Sequence, residues 1–235
     1  MSLYLILNIL TVSIPLLLSF DKKVHFFRYW RFLIPSMIIT MVIFIVWDVI
    51  FTSHGIWGFN EQYHAKRILF GLPLEEYLFF ITVPYASVFT IYVIHHYFPR
   101  IQLNDFQVQL VSFLLIAFLL LMAAINLDKA YTAVSFFFSA LVIGLVYLTQ
   151  RGLLRQFYLS YLVILIPFMI VNGILTGSFI EDQIVWYNDH ENLGFRLGTV
   201  PFEDVFYGMS LILINYYLTE TFRKFTGRRD IKISG

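Results

Sequence analysis

Seven uncharged or nearly uncharged runs divide the chain, at roughly residues 2–20, 32–51, 74–98, 107–126, 130–149, 156–178 and 202–219. Each is about as long as a tilted helix that crosses the hydrocarbon layer of a bilayer. The pattern predicts an all-α polytopic membrane protein with about seven transmembrane helices. Most connections are short. Two are long and aromatic: residues 52–72 carry Trp57, Gly58, Phe59, Asn60, Tyr63 and His64, and residues 179–200 carry Trp186, Tyr187, Asn188, His190 and Asn192. Rings at this depth anchor a protein at the interface, and two such loops can equally close as a lid over a cavity.

Charge then orients the bundle. Most of the 16 lysines and arginines fall in segment 21–31, in the turns 99–106 and 150–155, and in the tail with Arg223, Lys224, Arg228, Arg229 and Lys232. The opposite side has Lys66, Arg67, Lys129 and Arg196 among a larger number of acids. Basic residues collect on the cytoplasmic side, so the N-terminus is expected outside and the C-terminus in the cytoplasm. No basic segment precedes the first apolar run, which is therefore expected to be a retained helix and not a cleaved signal.

Composition narrows the functions. The chain is 59% hydrophobic and 13% charged, whereas soluble domains are about a quarter charged. Membrane lipid is thus an expected partner, and no basic block suggests nucleic acid. The absence of cysteine excludes disulfides, thiolate ligands and iron–sulfur clusters. No glycine-rich dinucleotide fingerprint, Walker loop or H-E-x-x-H spacing occurs, and His54, His64 and His190 are not arranged as metal ligands, so neither a cofactor nor a metal is expected. The last apolar run contains no lysine to hold a retinal, and no D-x-x-x-D motif suits a prenyl diphosphate.

The chemistry-bearing residues come in a repeat. Pro73-Leu74-Glu75-Glu76 is echoed by Pro201-Phe202-Glu203-Asp204, and Asp48-Val49-Ile50-Phe51-Thr52 by Asn172-Gly173-Ile174-Leu175-Thr176. Two three-helix units in the same orientation are expected, with the fourth helix crossing back between them: residues 1–106, the linker 107–128, and residues 129–235. Acids in the first turn of a helix meet unpaired N–H groups and a favourable dipole, and proline is well placed there. Successive residues diverge by about 100° around a helix, so one acid of each pair can cap while the other faces a cavity. Asp48 follows sixteen uncharged residues, and an acid so placed must find a cavity, a partner or a proton. Nearby rings, Trp47, Tyr77, Phe80, Phe206 and Tyr207 among them, suit a hydrocarbon cation, because ring faces attract positive charge without trapping it.

These paired signatures, with Tyr77-Leu78-Phe79-Phe80, Trp47-Asp48 and Trp57-Gly58-Phe59-Asn60, resemble the integral-membrane lycopene cyclase domain family over essentially the whole chain. That family occurs as two small subunits, as a fused chain, or joined to phytoene synthase, and this chain is similar to the fused form without the synthase. The resemblance implies cofactor-independent acid–base cyclisation of the ψ ends of lycopene, through γ-carotene to β-carotene. It also implies a bacterial cytoplasmic membrane setting and contact with other carotenoid enzymes. Glu76 and Glu75 are then the first candidates for the acid, Glu203 and Asp204 for the base or an equivalent pair, and Asp48 for a partner carboxyl. Trp47, Tyr77, Phe80, Asn172, Phe206 and Tyr207 are candidate substrate contacts. Another membrane isoprenoid cyclase or prenyl-modifying enzyme, a proton-coupled transporter and a lipid-binding protein are the competing expectations.

Overall fold

A computed structural model describes residues 1–233, with side chains described through Thr226. The side chains of Arg228, Arg229 and Lys232, which contribute to the charge-based orientation, lie outside that description. Seven long helices are present: α1 (Leu3–Leu18), α2 (Trp30–Ser53), α3 (Leu74–Tyr97), α4 (Asp105–Ile125), α5 (Ala130–Gln150), α6 (Leu154–Leu175) and α7 (Glu203–Ile233). The apolar runs anticipate all seven. α7 extends well beyond its run, since helix formation needs no hydrocarbon once lysine and arginine supply good helix formers.

Four helical segments of the described chain are long and apolar enough to cross a membrane: Phe26–Ser53, Leu74–Tyr97, Asp105–Ile125 and Ala130–Leu175, the last comprising α5 and α6. α1, with 16 residues, is shorter. The outer faces of the bundle are apolar, with Ile38, Val42 and Val46 on α2, Phe113 and Leu121 on α4, and Leu141 and Leu148 on α5 all exposed. The interior is comparatively polar, holding Thr40, Thr132, Ser135, Ser139 and Asn215. This is the inside-out distribution that suits a protein bathed in lipid, where packed helices gain from small and hydrogen-bonding residues.

The helices alternate in direction. The first turns of α1, α3, α5 and α7 meet at one end, where Tyr4 bonds Glu76 and Tyr131 bonds Asp204. At the other end Arg155 pairs with Asp105 at 2.6 Å, and the Leu103 N–H donates to the Arg155 carbonyl at 2.8 Å. Contacts follow a two-fold scheme: α1 packs on α3 as α5 packs on α7, and α2 packs on α7 while α6 packs on α3. Each half thus lends its second helix to the third helix of the other. α4 lies against α5 at the edge of the bundle.

Six short strands occur in the two long loops. Ile68–Leu69 (β2) with Leu72–Pro73 (β3), and Arg196–Leu197 (β5) with Val200–Pro201 (β6), form small hairpins leading into α3 and α7. The prolines therefore end these hairpins and do not occupy the first helical turn. Pro73 is the N-cap of α3, and Pro201 lies two residues ahead of α7. A missing N–H is harmless at either kind of position. The third ribbon joins the halves, with Trp57–Phe59 (β1) antiparallel to Val185–Tyr187 (β4) and Trp57 opposite Tyr187.

Candidate active site

The acidic helix starts sit beneath the β1–β4 ribbon, and the two members of each pair have parted. Glu75 Oε1 accepts from the Ser2 hydroxyl at 2.6 Å and from the Ala65 N–H at 2.6 Å. In the second half, Glu203 Oε1 accepts from the Thr132 hydroxyl at 2.6 Å and from the Leu193 N–H at 2.8 Å. Both acids bind the long loop to the neighbouring helix start. Glu76 and Asp204, one residue on, turn inward and line a single cavity of about 40 Å³.

That inward pair repeats the same design. Tyr4 on α1 donates its hydroxyl to Glu76 Oε2, and Tyr131 on α5 donates to Asp204 Oδ1 at 2.5 Å. The halves then differ. Asp204 also receives Tyr187 Oη at 3.2 Å and Asn172 Nδ2 at 3.5 Å on its other oxygen. Burial, and after it the Asp204 carboxyl, pushes the Tyr187 phenol well above its ordinary value, so it remains a donor. In the first half the residue matching Asn172 is Asp48, buried on α2, whose Oδ1 accepts from Trp57 Nε1 at 2.5 Å. Its Oδ2 has no partner among the described residues.

Aromatic rings fill the space around the acids. Tyr207 lines the cavity and meets Trp47 at 5.0 Å and Phe44 at 5.1 Å between ring centres, both edge-on. Trp57 lies edge-on to Tyr131 at 5.1 Å, while Tyr131 and Tyr187 stack at 5.6 Å. Rings so arranged, edge-on and stacked, are the geometries that aromatic pairs prefer and add to the packing around the acids. Outside the ribbon, Trp186 lies across Gly58, where an added Cβ would come within 2.4 Å of the indole. Gly58 is thus what allows the lid to be two layers of ring and backbone thick.

Of the residues anticipated from sequence, Glu76, Asp204, Asn172 and Tyr207 line the cavity, and Trp47 packs behind Tyr207. Asp48 is held at its edge through Trp57. Glu75 and Glu203 lie outside the cavity lining. Tyr77 bonds the Leu69 carbonyl at 2.8 Å, Phe80 packs on Phe44, and Phe206 belongs to a separate cluster with Phe136 and Phe202. Tyr4, Tyr131 and Tyr187 are cavity residues that the reading of the acids did not single out. An offset of 127 residues relates Tyr4 to Tyr131, and extending the repeat back to the first helix of each half would have found both. Among the described residues no group of three His, Asp or Glu side chains could hold a metal ion.

A buried cavity of paired acids and phenols thus lies where α1 and α3 meet α5, α6 and α7, enclosed by rings within a bundle of apolar-faced helices. Comparison with known families supplies the next step: a family described as lycopene cyclase matches residues 1–98 and 128–222, most of the chain, and the protein belongs to that family. Membership makes it a carotenoid cyclase of carotenoid biosynthesis, with a carotenoid as substrate. Comparison with curated proteins and with solved structures finds no match.

Proposed function

We propose that the protein is a lycopene β-cyclase that closes the ψ ends of lycopene, giving γ-carotene and then β-carotene, in a bacterial cytoplasmic membrane with the lid on the outer face. The observation that carries this reading is the meeting of Glu76 and Asp204, from opposite halves, in one ring-lined cavity. The two halves are residues 1–106 and 129–235, joined by a helix at 107–128. The repeated hydrogen-bond scheme and the two separately matched segments support that division.

In this reading the Glu76 carboxyl delivers its proton to the terminal double bond of the ψ end, leaving a tertiary cation. The neighbouring double bond attacks that cation, forming the ring bond and moving the charge within the new ring. Asp204 removes a proton from the adjacent ring carbon, and the electrons of that C–H bond restore a double bond. One proton enters and one leaves, so the conversion is an isomerisation that uses no oxidant or reductant, and proton return from Asp204 to Glu76 resets the site.

The division of labour follows the donors. Three side chains donate to Asp204 and one to Glu76, and on that geometry this reading gives Asp204 the role of base. Glu76 has one side-chain donor, Tyr4, and in this reading holds the proton that it delivers. Glu75 and Glu203 are positioning residues that fix the loops, and Tyr207 faces the cation with Trp47 packed behind it. Expression in cells that accumulate lycopene tests the assignment: β-carotene is expected by pigment chromatography. Unchanged lycopene in the presence of folded, membrane-inserted protein would refute it.

A further inference from the structure

The acid cavity, at about 40 Å³, is far below the several hundred Å³ of pockets that enclose a drug-sized ligand. A long polyene must therefore lie mostly outside it. A groove of about 400 Å³ opens between α1, α3 and α6 on the lipid-facing side. Its lining is continuous with that of the cavity on all three helices. On α1 the cavity residue Tyr4 is followed one turn on by Leu7 and then Thr11 in the groove. On α3 Phe79 of the cavity gives way to Val83 and Ser87, and on α6 Asn172 lines both spaces.

The groove is cut by small and ring-closed residues. Pro15, Ala86 and Pro167 line it with little bulk, and Thr11 and Thr90 turn their hydroxyls to their own helix carbonyls at 2.8 Å. Its surface is consequently largely apolar, and it runs along the helix axes. From Tyr4 to Pro15 the rise is about 16 Å at 1.5 Å per residue. Phe168 stands at the inner wall, its ring held over Gly208 of α7.

We infer that this groove is the lipid-side way in for the substrate and seats its polyene chain while one end group occupies the acid cavity. The inference rests on the functional reading above and assigns the chain-binding part of the same site. Each end would enter separately, so cyclising both ends requires the molecule to withdraw and return reversed.

Ala86→Trp and Thr90→Trp fill the groove away from the acids, and Val42→Trp adds the same bulk on the lipid face of α2 as a control. Lycopene turnover is expected to fall about tenfold or more in the two groove variants and to stay at the parental rate in V42W, because a filled groove removes binding made away from the reacting atoms. A shortened ψ-ended polyene, which needs little of the groove, should still be cyclised by A86W, a result that a misfolded protein would not give. Binding is read separately: E76Q should co-purify with lycopene, and E76Q combined with A86W should not. Parental turnover and undiminished lycopene retention in A86W would overturn the inference and leave the groove to lipid acyl chains. If the parental protein converted no lycopene, the functional reading would fail; loss of retained lycopene on filling the groove would still support the groove, and equal or absent retention would overturn it.

Discussion

Replacing Glu75 and Glu76 one at a time by glutamine tests the site at the level of adjacent residues on one helix turn. Glutamine at 75 keeps an acceptor for Ser2 and Ala65, both at 2.6 Å, but makes it neutral. Bonds to charged groups contribute about 1.5–3 kcal/mol and neutral ones about 0.5–1.5 kcal/mol, so two weakened bonds cost roughly 2 kcal/mol of stability. The chemical step should change by less than about threefold, which is under 0.7 kcal/mol at 1.36 kcal/mol per tenfold. Glutamine at 76 keeps an acceptor for Tyr4 but has no carboxyl proton to give. Loss of a general acid removes about 10²- to 10⁴-fold in rate, equivalent to about 2.7–5.4 kcal/mol. Initial rates of lycopene loss in membranes containing equal amounts of folded protein, with thermal unfolding followed by tryptophan fluorescence, separate the two effects. E75Q is expected to melt earlier and turn over nearly normally, and E76Q to do the reverse. Equal loss of turnover in both, or an E76Q protein that retains a third of parental activity, would refute the assignment.

The same contrast is expected in the second half: D204N should abolish most product formation while E203Q chiefly lowers the melting temperature, as pigment chromatography and thermal unfolding will report. W57F removes the indole donor from Asp48, whose other oxygen already lacks a partner among the described residues, and should cost about 1–3 kcal/mol in chemical denaturation together with a drop in turnover. G208A places a methyl 2.6 Å from the buried Phe168 ring, and an overpacked helix contact of this kind should lower stability by about 1–3 kcal/mol, measured by thermal unfolding. G58A forces Trp186 off the ribbon, and faster amide exchange across Trp57–Phe59 is the expected outcome.

The helices were legible because a spanning segment must hide its backbone within itself and show apolar side chains over its full length. The divergence of Glu75 from Glu76 was legible too, since it follows from helix geometry alone. Which of the two faces inward was not, because helices surrounded by lipid and protein carry apolar residues on every side and give no azimuth. The same absence left Tyr77, Phe80 and Phe206 without a direction: they flank the acids in sequence but contact a hairpin, a neighbouring helix and a separate core. The lid depended on a pairing of Trp57 with Tyr187 across 130 residues, which no local pattern encodes. Tyr4 was hidden for another reason: a tyrosine at the start of an apolar run reads as an interfacial ring until its counterpart Tyr131 is set beside it.

α4 has a consequence for how such a protein can be assembled. Among the described residues it supplies no side chain to the cavity, whose lining comes from α1, α3 and the β1 loop on one hand and α5, α6, α7 and the β4 loop on the other. Neither half alone encloses the acids. In the proposed division of the chain, α4 would be the tether that holds one of each half together at high effective concentration. A single chain in this way brings two unlike carboxyl surroundings to one cavity, Asp204 beside Asn172 and Glu76 beside Tyr4.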